Sequence, residues 1–238
     1  MGLEVPLIEV NHMQAHILAH FIKTDEQSIP SFPFLAITIS GGHTQIVKVT
    51  DYFQMKVIGQ TLDDAVGEAF DKSAKLLGLP YPGGPLIDQY ASLGNKNAFI
   101  FPKPKVGPLD FSFSGLKTAV LYFIEKKSKD NPDFVKENLY DICASIQFTI
   151  VDYLMDKIKN AVKETNIQTI AIGGGVSANS GIRKALQDTE TSLGWKVHIP
   201  KFEYCTDNAA MIAIVGELKY QQQLFASNDV VAKARMKY

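Results

Sequence analysis

Two cysteines, Cys143 and Cys205, and a single tryptophan are all that 238 residues contain of either type. Two thiols cannot staple a disulfide scaffold, and Cys143 stands in an apolar helical pattern where a thiol acts as a small hydrophobe. A reducing, cytoplasmic setting is therefore expected. Charge is also scarce: the formal net charge is -1, which excludes a protein that grips nucleic acid by bulk electrostatics and leaves room only for a local basic patch. No apolar run approaches the roughly 20 residues that a membrane-spanning helix needs. The first residues carry Glu4 and Pro6 rather than a basic run and an apolar core, and Pro6 stands where a myristoylation signal has Ser or Thr. No membrane partner is expected. A GxxxxGK[ST] sequence is missing and the later glycine loop fails the GxGxxG spacing, which disfavours P-loop and Rossmann sites. What remains is 46% hydrophobic and 21% charged, enough for one large α/β domain or one and a half smaller ones.

The hydrophobic period sets the order of elements. Leu7 to Val10 reads as a short strand, and Asn11 can cap a helix running to about Phe21. A polar, proline-containing linker covers Lys23 to Pro33. Phe34 to Ser40, Thr44 to Val49 and Met55 to Thr61 then read as an antiparallel meander with a Gly41-Gly42 turn. Asp63 to Leu77 has apolar positions at helical spacing, and a Tyr81–Pro85 loop leads to a helical segment around Ile87 to Leu93. After the irregular, proline-rich stretch Phe99 to Ser114 come helices at Leu116 to Lys126 and Phe134 to Glu164, the latter one helix or two, with Asn131 and Pro132 at its start. The chain closes as strand (Gln168 to Ile172), glycine loop (Gly173 to Gly175), helix (Ala178 to Thr189), strand (Trp195 to Ile199), helix (Asp207 to Tyr220) and a loosely packed tail after Ala226. Three antiparallel strands followed by α, β, α, β, α is the plan of one lobe of the actin, Hsp70 and sugar-kinase (ribonuclease H-like) superfamily, an α/β fold on a mixed sheet. A fold analogy licenses no reaction by itself.

Within that order, four features bear chemistry. His12 and His16 lie four apart on one helix face, so both can reach a single cation, and His20 extends the stripe. A zinc protease would carry glutamate directly after the first histidine; Met13 stands there, and Gln14 cannot take a proton. The Ser40–Thr44 turn and the Gly173–Asn179 loop can present backbone amides to an anion, or can serve simply as tight turns. Asp63, Asp64, Glu68 and Asp71 share a helix with Lys72 and Lys75, most of them a solvated, paired face. Asp71 lies nearest the apolar stripe, ahead of Gly83-Gly84, and with Asp88 beyond that turn can accept bonds from ribose hydroxyls.

NHMQAH, SGGHTQIV, LDDAVGEAFDKSAKLLGLPYPGGP, FSFSGLKT, GGGVSAN and CTDNAAMIA occur in this order, and together they resemble the TsaD (glycoprotease, Gcp) family over nearly the whole chain. The resemblance implies a tRNA N6-adenosine threonylcarbamoyltransferase. Such an enzyme moves the threonylcarbamoyl group of threonylcarbamoyl-AMP to N6 of adenosine 37 in tRNAs reading codons that begin with A, giving t6A. It implies that His12, His16 and Asp207 hold one divalent metal, iron or zinc. Thr38, Ile39, Ser40, Gly41 and Gly42 would hold the phosphate or carbamoyl end of the donor, and Asp71, Gly84, Asp88 and Asn179 its adenosine. Implied partners are tRNA and TsaB-like and TsaE-like proteins. No residue is an evident general base, and that role stays unassigned.

Two departures accompany the resemblance. His12-Met13-Gln14-Ala15-His16 stands where the family often reads HMEGH. Nothing in the chain resembles the N-terminal strand and GIETSCDET-like loop of the other lobe, so the chain reads as a truncated form with that lobe mostly absent. The expected organisation is residues 1–30 as a residual interlobe strand and metal-binding helix with linker, 31–225 as the C-terminal lobe with a helical insertion about 80–165, and 226–238 as tail. Apolar surface uncovered by the missing lobe, including one side of the His helix, would favour self-association and leave the chain inactive by itself. Two alternatives stand beside this reading, a metallopeptidase and a non-catalytic nucleotide-binding lobe.

Overall fold

The computed structural model describes residues 5–24, 28–233, 236 and 238. Helix α1 (His12–Leu18) leads through a 3-10 turn to β1 (Phe34–Ile39), β2 (Thr44–Asp51) and β3 (Gln54–Gln60). Helices α2 (Val66–Leu76), α3 (Gly83–Ala91), α4 (Ser114–Asp130), the one-turn α5 (Phe134–Glu137) and α6 (Leu139–Thr165) follow. The chain ends with β4 (Thr169–Gly173), α7 (Ser180–Leu193), β5 (Lys196–His198) and α8 (Ala209–Gln221).

The sheet order is β3-β2-β1-β4-β5. β3, β2 and β1 are antiparallel, whereas β4 and β5 add in parallel. Side chains two apart share a face, so β1 divides two cores. Leu35, Ile37 and Ile39 join Ile46, Ile170, Ile172 and the apolar faces of α2, α4 and α6. Phe34 and Ala36 join Val47, Val49, Ala171, α1 and α8. The mixed sheet covered on both faces is the α/β lobe that the element order predicts.

This topology places the site. In the β1–β4 pair Thr38 faces Gly173, so the two parallel strands end side by side, and the Ser40–His43 turn and the Gly173–Asn179 loop leave the same edge of the sheet. α1 packs against β1 and β4 on one face, and on the other α3 packs against α2 and α6.

Several expectations need correction. Leu7–Val10 is in no strand; the Leu7 carbonyl accepts instead from the Ala226 amide at 2.8 Å and that of Glu9 from Lys219 Nζ at 2.8 Å. The expected Asp63–Leu77 helix starts only at Val66, since Asp63 is engaged elsewhere. The Tyr81–Pro85 loop is half helix: α3 begins at Gly83. Of the two readings of Phe134 to Glu164 the structure has the two-helix one: Asn131 and Pro132 precede the one-turn α5, and α6 begins afresh at Leu139. The tail is not loose throughout, for Tyr238 packs on the second core and donates to Gln45 Oε1 at 3.0 Å. The His helix is covered by α8, β1 and β4, with Ala15 to Leu18 buried, so it offers no bare apolar side. Among the described residues no helix is long and apolar enough to cross a membrane.

His20 belongs to the core and not to a metal site. It is 1% exposed, and its Nε2 donates to the Ile172 carbonyl at 2.8 Å. Burial pushes its pKa from 6.5 to about 4, the Ile172 bond opposing and nearby His198 reinforcing the shift. The unfolded chain binds this proton below about 6.5 and the folded chain only near 4, so stability is fully present above the first value and falls between the two, by about 3 kcal/mol in all. The expected result is a urea midpoint that drops from pH 7 to pH 4.5 more steeply for the parent than for His20→Leu. Parallel pH profiles would show that this imidazole is not kept neutral.

Candidate active site

Asn11 starts the site. Its Oδ1 accepts from the amides of Met13 and Gln14 at 2.9 and 3.1 Å, which fixes the first turn of α1 and sets His12 and His16 on one face. Asp207 arrives from the other end of the chain, just ahead of Asn208, whose Oδ1 accepts from Met211 N at 2.9 Å and caps α8. Nε2 of His12 and Nε2 of His16 lie 3.4 and 3.2 Å from the same Asp207 Oδ1. The three ligand atoms all fall within 4.8 Å of one another.

His16 is buried while His12 and Asp207 face solvent. Burial, then the neighbouring His12, hold the His16 imidazole below its ordinary pKa against the opposing pull of Asp207. Two imidazoles and one carboxylate suit a borderline divalent ion and leave coordination positions for substrate. His16 Nδ1 is buried with no hydrogen-bond partner among the described residues, unlike the usual ligating histidine, whose second nitrogen is held by an outer group.

Two cavities meet beside this triad. One, of about 480 Å³, is the more polar of the two and is lined by His12, His16, Ser40, Gly42, His43 and Asp207, with Met13 in its wall. The other, of about 450 Å³, is walled by Phe70, Asp71, Gly84, Asp88, Val176 and Asn179. Gly41, Gly175 and Thr206 line both, so the two cavities adjoin along these residues.

Asp71, Asp88 and Asn179 of the second cavity are each fixed through part of their bonding capacity. Asp71 Oδ1 accepts from the amides of Gly83 and Gly84 at 2.9 and 3.0 Å, capping α3 and leaving Oδ2 for a ligand. Asp88 accepts from the Ser180 amide and hydroxyl at 2.9 and 2.6 Å. Asn179 Oδ1 accepts from Ile182 N at 3.0 Å and caps α7. In the polar cavity Ser40 Oγ draws in the amides of Gly42 and His43 at 3.3 and 3.1 Å, so the Gly42 N–H is aimed at its own turn.

Of the positions expected to hold substrate, Ser40, Gly41, Gly42, Asp71, Gly84, Asp88 and Asn179 are brought to these cavities. Thr38 and Ile39 are not: both are 1% exposed inside β1. Thr206 and Phe70 were missed; Thr206 was within reach, being next to Asp207. Asp63, expected on a solvated face, instead accepts from the Ser112 hydroxyl at 2.6 Å, the Phe113 amide at 2.7 Å and the Ser114 hydroxyl at 2.8 Å. It thereby caps α4, and these bonds hold its carboxyl below the usual range against desolvation, which pulls the other way. Lys72 does form the expected charged face, 2.8 Å from both Asp64 and Glu68.

Comparison with known proteins agrees with this layout. Residues 1–214 match the family model TsaD, tRNA N6-adenosine threonylcarbamoyltransferase. The chain belongs to the TsaD family. A TsaD relative of that name from Christiangramia forsetii is 68% identical over 238 residues, covering 100% of this chain and 70% of the relative. One from Riemerella anatipestifer is 57% identical over 235 residues, covering 99% of this chain and 69% of its own length. Among solved structures, full-length HypF in its phosphate- and nucleotide-bound form superposes with a TM-score of 0.67 at 15% identity, over 94% of this chain and 38% of HypF. That likeness extends the TsaD lobe's fold, and only its fold, to a distant protein. The TsaD assignment makes the chain a member of a family of tRNA-modifying transferases.

Proposed function

We propose that the joined cavities bind threonylcarbamoyl-AMP and that the chain acts in moving its threonylcarbamoyl group to N6 of adenosine 37 in tRNAs that read codons beginning with A. The observation that carries this is the shared wall of Gly41, Gly175 and Thr206. A nucleoside fits on one side of it, an acyl group on the other, and the phosphate between them. N6 forms a bond to the carbamoyl carbon, the bond from that carbon to the phosphate oxygen breaks, and AMP leaves as N6 sheds a proton. Asp71, Asp88 and Asn179 hold the nucleoside, and the Ser40–Gly42 turn borders the group being transferred. His12, His16 and Asp207 would hold one divalent ion, iron or zinc, which supplies Lewis acidity toward the carbamoyl oxygen when bound. Peptide hydrolysis is the weaker reading, because the polar cavity has Met13 where a motif glutamate would stand and Asp207 is the single carboxylate among its lining residues.

The test is binding of AMP by the chain, followed by formation of t6A with metal, threonylcarbamoyl-AMP, unmodified tRNA and TsaB-like and TsaE-like partners in a reducing, cytoplasm-like buffer. AMP should bind and compete with the donor, and t6A should fall across site variants in step with AMP and metal affinity. A chain that binds no AMP overturns the proposal; one that binds AMP and metal yet forms no t6A with all partners present is a non-catalytic binding lobe. Self-association, also part of this reading, has an apolar surface to use on the outer face of α8, where Ile212, Ala213 and Tyr220 are exposed. Sedimentation velocity over a range of concentrations should show dimers, and a single monomer boundary throughout would remove that expectation.

A further inference from the structure

We propose that Gln147 is a positioning residue for the nucleoside end of the site, locking the Asn179 carboxamide in the orientation that a bound adenosine meets. The inference rests on the reading of that cavity as a nucleotide site.

Gln147 sits in α6 among Ile146, Ile150 and Val151, and is only 9% exposed. A carboxamide buried in such surroundings is costly unless it is hydrogen-bonded. Its Oε1 accepts from Asn179 Nδ2 at 2.8 Å, and Asn179 is itself 9% exposed. Because Asn179 Oδ1 accepts from the Ile182 amide at 3.0 Å, both ends of the amide have a partner of defined sense. A flipped amide would set N–H against N–H at one end and oxygen against oxygen at the other. The backbone makes room for this arrangement: a β-carbon on Gly181 would stand 2.9 Å from Gln147 Nε2 and 3.3 Å from Asn179 Oδ1.

After those two bonds Asn179 keeps one Nδ2 hydrogen and one Oδ1 lone pair, held in fixed order in the cavity wall. Adenosine offers both acceptors and hydroxyl donors to such a pair. An amide already ordered loses no further freedom on binding, which strengthens affinity. Gln147 itself is not in that wall. It lines a separate groove of about 540 Å³ between α6 and α7, so whatever it does for the ligand passes through Asn179.

The experiment measures AMP affinity by titration calorimetry for the parent, Gln147→Met, Gln147→Glu, Asn179→Ala and the Gln147→Met/Asn179→Ala double variant, with a thermal melt of each. Gln147→Met keeps the volume and removes the acceptor, and should weaken AMP about five-fold, the worth of one hydrogen bond. Gln147→Glu keeps the acceptor, so its folded fraction should retain AMP affinity better than Gln147→Met even where the buried carboxylate lowers the melt. In the Asn179→Ala background Gln147→Met should add nothing, a signature that general loss of packing would not give. Equal AMP affinity in Gln147→Met and parent, or an equal loss in both backgrounds, overturns the proposal. A parent chain that binds no AMP removes the nucleotide reading and this inference with it. If Gln147→Met does not fold, NMR of the parent decides: one Asn179 Nδ2 proton should resist solvent exchange while the other shifts with AMP, and equal exchange of the two overturns the proposal.

Discussion

His16→Ala and His12→Ala should each lose nearly all bound iron or zinc, at least about 100-fold in affinity, since even an outer-shell partner of a metal is worth about 10–100-fold. The pair separates metal loss from damage to the fold. His16 is 4% exposed beneath the polar cavity, so removing its ring leaves a void that costs about 2–5 kcal/mol, the range of large-to-alanine changes in a core. The His12 side chain is 52% exposed, and its truncation should cost under about 1 kcal/mol. Asp207→Asn, with its side chain 75% exposed, keeps shape and removes the charge that two imidazole nitrogens share. Metal content measured by mass spectrometry after anaerobic reconstitution, beside a circular-dichroism melt, reads both quantities. The expected pattern is a nearly parent-like melt for His12→Ala, a lowered one for His16→Ala, and little metal in either. Parent-level metal in both variants would dissolve the triad, whatever the melts show.

The fold was largely legible because its signals are local. Alternation along Thr44 to Val49 and helical spacing after Asp63 report which face meets a core, and the strand–glycine–helix run at Gln168 to Thr189 reports a crossover. The misreadings occur where a distant group decides a local state. Leu7 to Val10 has strand composition, yet its Leu7 and Glu9 carbonyls are taken by the Ala226 amide and the Lys219 ammonium, more than two hundred residues away, and not by a neighbouring strand. Gly83-Gly84-Pro85 reads as a turn because its helix cap is Asp71, 12 residues upstream of Gly83. Asp63 looks like one more solvated carboxylate because the helix start it serves lies 50 residues away at Phe113.

The site divides in the same way. His12 and His16 announce themselves by spacing, and both glycine loops by composition, whereas Asp207 had to be carried over from a family motif since nothing local marks it. Thr38 and Ile39, carried over with the Ser40–Gly42 turn that follows them, lie in the interior of β1, so a resemblance can take in what holds a site in place as well as what borders its cavity. Gln147 left no signal at all: a glutamine in an amphipathic helix looks solvent-facing until the fold buries it against Asn179.

The adjacent glycines Gly174 and Gly175 should respond to alanine in opposite ways, and the contrast decides whether this loop is a turn or a ligand cradle. Gly174 has φ 90° and ψ 161°, a region essentially closed to residues with a β-carbon, and an added β-carbon would collide with the Ile39 carbonyl oxygen. Gly174→Ala should therefore lose about 3 kcal/mol or fail to fold. Gly175 opens a helical turn, and the nearest atom to an added β-carbon is Thr206 Cγ2 at 3.8 Å, an ordinary contact. Its alanine variant should melt like the parent or gain about 0.4–1 kcal/mol through the unfolded chain. Yet that new methyl would stand between Gly175 and Thr206, in the wall common to both cavities, where the proposed binding mode sets the phosphate of an adenylate. AMP affinity of Gly175→Ala should fall by roughly ten-fold or more, since overpacking by one methyl costs about 1–3 kcal/mol. Adenosine, lacking the phosphate, should lose less. Calorimetric titration with AMP and with adenosine, read beside urea unfolding of both variants, measures all of this. If Gly175→Ala unfolds early but its folded fraction binds AMP as the parent does, the loop is a turn and the ligand does not cross that wall.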